Sequence, residues 1–253
     1  SHYWLGSSKN GHRSLKALEN IEAKIAGTNW STVTEEMHAK GFALVPNFIS
    51  ENTCSELIES YNEPIYRKTV VMERYRFGLG EYKYFDYPLP PVIQSIREKL
   101  YGKLAPIANL WMNVLNIEKQ FPDSFKDLQS LCHQNGQLQP TPLILKYGKG
   151  GFNTLHQDLY GEVYFPIQVV LFLNQPEVDF TGGEFVLTQQ TPRAQSKAIV
   201  LKPNKGDLLI FTTNFRPVKG SKGYYRVNMK HGVSEVQSGE RHTLGVIFHD
   251  ALS

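Results

Sequence analysis

Cysteine is scarce in this chain. Cys54 and Cys132 are the two in 253 residues, and neither sits in a CxxC pair. Two such thiols cannot build a structural zinc site alone. They read as reduced, buried small hydrophobes in a cytoplasmic protein. Long apolar runs are missing too: nothing approaches the roughly 18 residues that a membrane crossing needs. The opening stretch, SHYWLGSSKNGHR, has no apolar core of the kind a secretory signal carries. Neither a membrane span nor an export signal is expected. Acidic residues are scarce in one region in particular. Between 191 and 230, nine Lys and Arg stand against a single acid, Asp207, a net +8 in a chain whose total is +3. That asymmetry implies either an anionic partner or a set of solvated strand edges and loops. No internal repeat and no low-complexity tract occurs.

What is present suits one sizeable core: hydrophobic residues make up 41% and aromatics 12%, which favours a β-rich interior or a lined pocket. The first half reads as mainly helical. Leu15, Leu18, Ile21 and Ile25 step by three and four within 13–27, and Gly27 is the stop. A second helix is expected over 31–40, ending at Gly41, then a strand over 42–49 with Pro46 at an edge or bulge. Ser50 caps a helix carrying Cys54, Leu57, Ile58 and Tyr61 on one face. Residues 67–90, rich in Tyr, Phe, Gly and Pro, read as loop and short strand. Helices are expected over 91–102 and 123–134, while LWMNVLNIEKQF stays open between helix and strand.

After Pro140 the texture changes. TPLILKYG, VYFPIQVVLFLN, GGEFVLTQQ, KAIVLKP, GDLLIFTT, HGVSEV and RHTLGVIF are short strand-like runs punctuated by turn residues. They argue for a β-sandwich or closed barrel. The expected organisation is a single domain over 1–253. A mainly helical layer over 1–140 packs outside a β core over 141–253.

The motif that carries chemistry is TLHQDLYGEVYFP. His156 and Asp158 lie two apart, and residues two apart on a strand point to one face. Two histidines and a carboxylate on one face of an octahedron leave the other positions of an iron(II) ion open. His231, 73 residues after Asp158 and at the start of HGVSEV, is the best third ligand. His2, His12, His38, His133, His242 and His249 fit less well and read as surface or packed residues. Ten residues after His231 comes Arg241, whose fork suits the far carboxylate of a dicarboxylate cosubstrate in a way Lys cannot match.

This constellation, with GGEF and GDLLIF between its parts, resembles the iron(II)/2-oxoglutarate-dependent dioxygenases. Three segments carry a closer resemblance to a bacterial family of these enzymes described as oxidising damaged DNA: PTPLILKYGKGGFNTLHQDLYGEVYFPIQVVLFLN, DFTGGEFVLTQQTPRAQS and GYYRVNMKHGVSEVQSGERHTLGVIFHDA. The stretch GFALVPNFIS is similar to prolyl-4-hydroxylase-like relatives. The resemblance implies a mainly β fold with α, a double-stranded β-helix of the jelly-roll or cupin kind, with N-terminal helices outside. It implies Fe(II) as metal and 2-oxoglutarate and O2 as cosubstrates. It implies oxidation of a substrate, by hydroxylation or oxidative demethylation, with release of succinate and CO2. That substrate is damaged nucleic acid on one reading. On another it is a small molecule, amino acid or protein side chain; a non-catalytic or other-metal cupin-like binding protein is the third.

Residue by residue, the resemblance makes His156, Asp158 and His231 the metal ligands and Arg241 the cosubstrate anchor. Because Asp158 is not Gly or Ala, no position is vacated for halide, which favours hydroxylation over halogenation. Tyr147, nine residues before His156, stands where relatives send a tyrosine toward the cosubstrate. Alternation puts Gln168, Val170 and Phe172 on the interior face of their strand. Gln168 would stand in for a hydroxyl contact that Phe172 lacks. Gly182 and Gly183 read as turn residues with positive φ, and Asp207 as turn chemistry. Tyr160 is a substrate candidate. NFRPVKGSKGYYR is either a basic loop overhanging the metal, with Arg216 and Arg226 meeting an anionic substrate, or a solvated hairpin.

Overall fold

A computed structural model describes residues 19–75 and 77–253. Its elements run in the order α1 (Ile21–Ala26), α2 (Trp30–Lys40), β1 (Phe42–Val45), α3 (Glu51–Glu59), β2 (Tyr66–Val71), β3 (Gly78–Leu79) and β4 (Glu81–Phe85). There follow α4 (Pro91–Val114), α5 (Phe125–Gln134), β5 (Leu143–Tyr147), β6 (Phe152–His156), β7 (Ile167–Phe172) and β8 (Phe180–Gly182). The chain ends with β9 (Phe185–Gln190), β10 (Lys197–Leu201), β11 (Leu208–Thr212), β12 (Phe215–Gly220), β13 (Gly223–Val233), β14 (Val236–Gly239) and β15 (Arg241–Val246).

The strands form two large antiparallel sheets and a small two-stranded one, β14-β8. The major sheet has the order β1-β11-β7-β15-β5-β4-β2, the minor one β10-β9-β13-β6-β3, with β12 pairing β13. Val170, Phe172, Leu209 and Phe211 of the major sheet pack against Phe185, Leu187 and Met229 of the minor one. This is the mainly β, double-stranded β-helix architecture expected. The outer face of the major sheet, including Ile144, Val169, Leu171, Ile210 and Leu244, packs on the helices through Ile93, Ile96, Leu100, Leu104 and Trp111. Strand β7 is therefore buried at all six positions. A strand covered on both faces shows no polar alternation.

Most helix signals act as expected. Ser50 Oγ accepts the Thr53 amide, and Gly41 closes α2 in the left-handed region at φ 79°. Helix α1 keeps Ile21 and Ile25 inward, while Leu15 and Leu18 lie outside the described residues, as do His2 and His12. Helix α4 runs 24 residues, past Gly102 and through Pro106, because Ile107, Ala108, Trp111 and Met112 continue its buried stripe. That burial outweighs the ~3 kcal/mol an interior proline costs.

The expected strand over 42–49 stops at Val45, and it is an edge strand paired with β11 alone. The Tyr-rich stretch 67–90 is more regular than its composition implies. It forms β2, β3 and β4, and β4 pairs β5 in register Tyr82↔Leu145 and Tyr84↔Leu143. The two sheets thus draw strands from both sides of residue 140.

Candidate active site

The three metal-ligand candidates meet where the two sheets open. His231 on β13 stands directly opposite His156 on β6, and their ring centroids are 4.3 Å apart. Asp158 Oδ2 lies 3.0 Å from His231 Nε2, and Oδ1 lies 3.4 Å from His156 Nε2. One ligand atom from each residue falls within 4.8 Å of the others. The route to this convergence differs from the expectation. His156 ends its strand and Asp158 lies beyond it, so strand alternation does not align the pair. Instead the loop is tied down: the Asp158 amide donates to Thr213 Oγ1 (2.8 Å), and Gln157 Nε2 donates to the carbonyls of Asn214 and Met229. His231 sits near the end of β13, not at the start of a strand. Gly232 then lets β13 crowd β6, where a Cβ would come 2.6 Å from the Asn153 carbonyl oxygen.

Two neighbours fix the Asp158 carboxylate. Tyr160 donates its hydroxyl to Oδ1 (2.9 Å) and Gln168 donates Nε2 to Oδ2 (2.8 Å). Burial opposes the Asp158 charge, yet the imidazoles of His156 and then His231 hold its carboxyl well below the usual range. Burial also lowers the His231 pKa, seconded by the His156 charge, so His231 is kept neutral. For Tyr160, burial and the Asp158 charge push the phenol well up, so it stays a proton donor. A carboxylate held ionised and a histidine held neutral are the ligating forms of these groups. His231 Nδ1 and Gln168 Oε1 are buried without hydrogen-bond partners among the described residues.

Arg241 lines the same cavity, which holds about 380 Å³. It is 2% exposed and has no salt bridge among the described residues, and its Nε lacks a partner. The rings of Tyr147 and Phe172 each lie 5.7 Å from its guanidinium carbon. Burial lowers its pKa to about 10. An arginine this buried and unpaired is poised for an anion. Gly183, at φ 59°, makes room for it: a Cβ there would approach Arg241 Cδ to 3.0 Å and Val236 Cγ2 to 2.8 Å. Gly183→Ala is therefore expected to push the guanidinium aside and raise the KM for an anionic cosubstrate about tenfold. Steady-state kinetics with the metal-loaded protein check this.

The remaining sequence candidates divide. Tyr147 is fully buried beside Arg241, with its hydroxyl oxygen accepting from Asn153 Nδ2 (3.1 Å). Gln168 lines the cavity but spends its amide on Asp158, so it positions a ligand and keeps only Oε1 for a cosubstrate. Tyr160 lines the cavity as expected. Arg216 and Arg226 do not. NFRPVKGSKGYYR forms the β12–β13 hairpin, and none of its residues lines the cavity. Arg216 is buried against Gly41 and Met229, donating to Gln189 Oε1 and the His38 carbonyl. Arg226 is exposed and lies over Phe215.

Sequence reasoning missed Phe77, Tyr82 and Tyr84, which line the cavity. The period-two pattern of EYKYF was the available signal. His249 also sits in this region, 6.0 Å from the Tyr160 ring, with Nδ1 accepting the Phe165 amide and Nε2 unpartnered. Burial lowers its pKa to about 4, against 6.5 ordinarily. Below pH 6.5 the unfolded chain takes up a proton that the folded chain refuses. Stability therefore falls as pH drops from ~6.5 toward 4, by up to ~3 kcal/mol from this residue. In His249→Asn, denaturant unfolding at pH 7.5 and pH 5 should show a smaller difference than in wild type.

Known proteins share this architecture. A Pseudomonas putida prolyl-4-hydroxylase superposes with TM-score 0.51 at 14% identity, covering 88% of this chain and 99% of its own. A 2OG-Fe(II) oxygenase family oxidoreductase from Burkholderia pseudomallei gives 0.51 at 13% identity, covering 89% and 94%. At such identities the likeness concerns the fold. Uncharacterised proteins of two Mycobacterium tuberculosis strains, H37Rv and CDC 1551, are each 48% identical over 167 residues, 66% of this chain and 72% of theirs. A family model described as an oxygenase catalysing oxidative methylation of damaged DNA matches residues 80–251. With more than half of its length matched, the chain belongs to that family of oxygenases.

Proposed function

We propose that this oxygenase is iron(II)- and 2-oxoglutarate-dependent and that its substrate is an alkylated base of nucleic acid. The observation that carries the cofactor reading is that one cavity is lined both by a His-Asp-His cluster and by a buried arginine with no salt bridge among the described residues. His156, Asp158 and His231 would hold the iron, and their donor set leaves coordination positions for a chelating cosubstrate. Iron(II) with 2-oxoglutarate and O2 supplies the oxidising power for a C–H bond, with succinate and CO2 as products. The chain's own groups do the rest. Arg241 forks onto the distant carboxylate, and the Tyr147 phenol, its oxygen already accepting from Asn153, is free to donate its proton there. Tyr160 and Gln168 keep the Asp158 carboxylate from rotating.

The substrate reading rests on the wall of Phe77, Tyr82 and Tyr84. The rings of Tyr82 and Tyr84 meet edge to face at 5.4 Å, Phe77 lies 6.4 Å from Tyr82, and Tyr75, 62% exposed, stacks on Phe77 at 6.0 Å. Apart from His156, Asp158, His231 and Arg241, no acid, lysine or arginine lines the cavity among the described residues. A free amino acid would bring an ammonium and a carboxylate with no partners left for them among these described residues. A planar base stacks on such a wall. The reading includes a reducing, cytoplasmic setting, which the buried, unpaired Cys54 and Cys132 support. No helix among the described residues is long and apolar enough to cross a membrane. Succinate release should rise several-fold with an alkylated oligonucleotide over an unmodified one. A rise with a proline-containing peptide instead would overturn the substrate assignment.

A further inference from the structure

The basic region 191–230 lies outside the cavity, and the proposed chemistry leaves it unused. Its nine cations sort by environment. Lys202 pairs with Glu177, Lys205 pairs with Glu51, and Arg216 is buried. Arg193, Lys197, Lys219, Lys222, Arg226 and Lys230 are exposed, with no salt bridge among the described residues. The single acid of the region, Asp207, is buried and spends both oxygens on the amides of Asn47 and Asn204. Among the described residues no salt bridge neutralises these six charges.

They are also grouped in space. Strand β13 pairs with β9 from Asn228 to Val233, but from Gly223 to Val227 its partner is β12. The hairpin therefore runs beyond the minor sheet as a two-stranded ribbon, in register Lys219↔Tyr224 and Pro217↔Arg226. Its tip carries Lys219, Lys222, Tyr224 and Tyr225, the tyrosines 46% and 37% exposed. Arg193 and Lys197 belong to the neighbouring β9–β10 hairpin, which pairs with β13 beside the ribbon's base. On the same strand Arg226, Asn228 and Lys230 are exposed on one face, and His231 is buried on the other. Five residues of strand from Arg226 to His231 span ~17 Å. Exposed cations at steps along a ribbon, with aromatic rings at its tip, match a chain of phosphates carrying stackable bases.

We infer that the β12–β13 ribbon is a docking arm for a nucleic-acid strand, with Lys219, Lys222 and Lys230 on the sugar-phosphate backbone and Tyr224 and Tyr225 against bases. The inference rests on the nucleic-acid reading of the substrate, but it is tested by binding alone. The full chain, without added iron, is titrated into a fluorescein-labelled single-stranded 20-mer across a range of salt concentrations. Wild type should bind with a steep salt dependence. Lys219→Gln/Lys222→Gln/Lys230→Gln should weaken binding at least tenfold and flatten the slope of log K against log salt by about two. Tyr224→Ala/Tyr225→Ala should weaken binding and leave the slope unchanged. Thermal melting and manganese(II) uptake, read on the same samples, establish that the variants are folded. An unchanged affinity and slope in the folded triple variant overturns the arm. So does equal binding of poly-glutamate with equal loss in that variant, because the surface would then select charge and not nucleic acid. Tight, arm-dependent binding with no oxidation of any alkylated base leaves the arm standing and removes the substrate reading.

Discussion

Asp158→Ala is expected to lose metal uptake and cosubstrate turnover together. Partners that merely orient a metal ligand are worth ~10–100-fold in affinity, so removing the ligand itself should cost ~100-fold or more. The structure gives a reason for the upper end. Asp158 is the one anion that counters His156 and His231, and it lies within 3.4 Å of both imidazoles. It also receives the protons of Tyr160 and Gln168. Without it, two neutral imidazoles and two undirected donors surround the ion. Calorimetric titration with manganese(II) should show no binding where wild type binds, with circular dichroism unchanged. Binding by wild type should weaken as pH falls, since His156 and His231 must be neutral to ligate.

Arg241→Met should have the second largest effect, and in two directions. Truncating one side of a buried charge pair costs ~2–5 kcal/mol, so the KM for 2-oxoglutarate should rise from ~30-fold to over a thousandfold. Arg241→Lys should recover part of this, because it keeps the charge and loses the fork. Stability of the free protein should move the other way. Arg241 is buried with no salt bridge among the described residues, and burial is the first cause of its lowered pKa. Replacing it by an apolar side chain of similar length removes that desolvation cost. The variant should melt higher than wild type without 2-oxoglutarate. It should then gain nothing when 2-oxoglutarate is added, whereas wild type gains stability with ligand concentration. A residue serving only as packing would lower the melting temperature and leave KM unchanged.

The parts of this molecule fixed by residue type were legible in the sequence. The convergence of His156, Asp158 and His231 on one cavity that Arg241 also lines could be anticipated, because the proposed ligation and carboxylate binding would admit few side chains. Helix caps at Gly41 and Ser50 were legible for the same local reason. What depended on tertiary packing was not. The overrun of α4 past Gly102 and Pro106 follows from the sheet it covers. Tyr82 and Tyr84 look like loop residues until β5 pairs with them. Arg216, one of nine cations in a basic stretch, is chosen for burial by the carbonyl of His38 and the amide oxygen of Gln189. Both lie far from it in sequence. The position of Asp158 past its strand is set by Thr213, 55 residues away.

Succinate formation from 2-oxoglutarate, measured for wild type and His231→Ala at equal iron(II), tests the assignment most directly. His231 is the proposed ligand that β13 brings in from furthest along the chain. The expected outcome is iron-dependent succinate release by wild type and loss of at least ~99% of it in the folded variant. Equal release by the two proteins would contradict the placement of the iron at His156, Asp158 and His231.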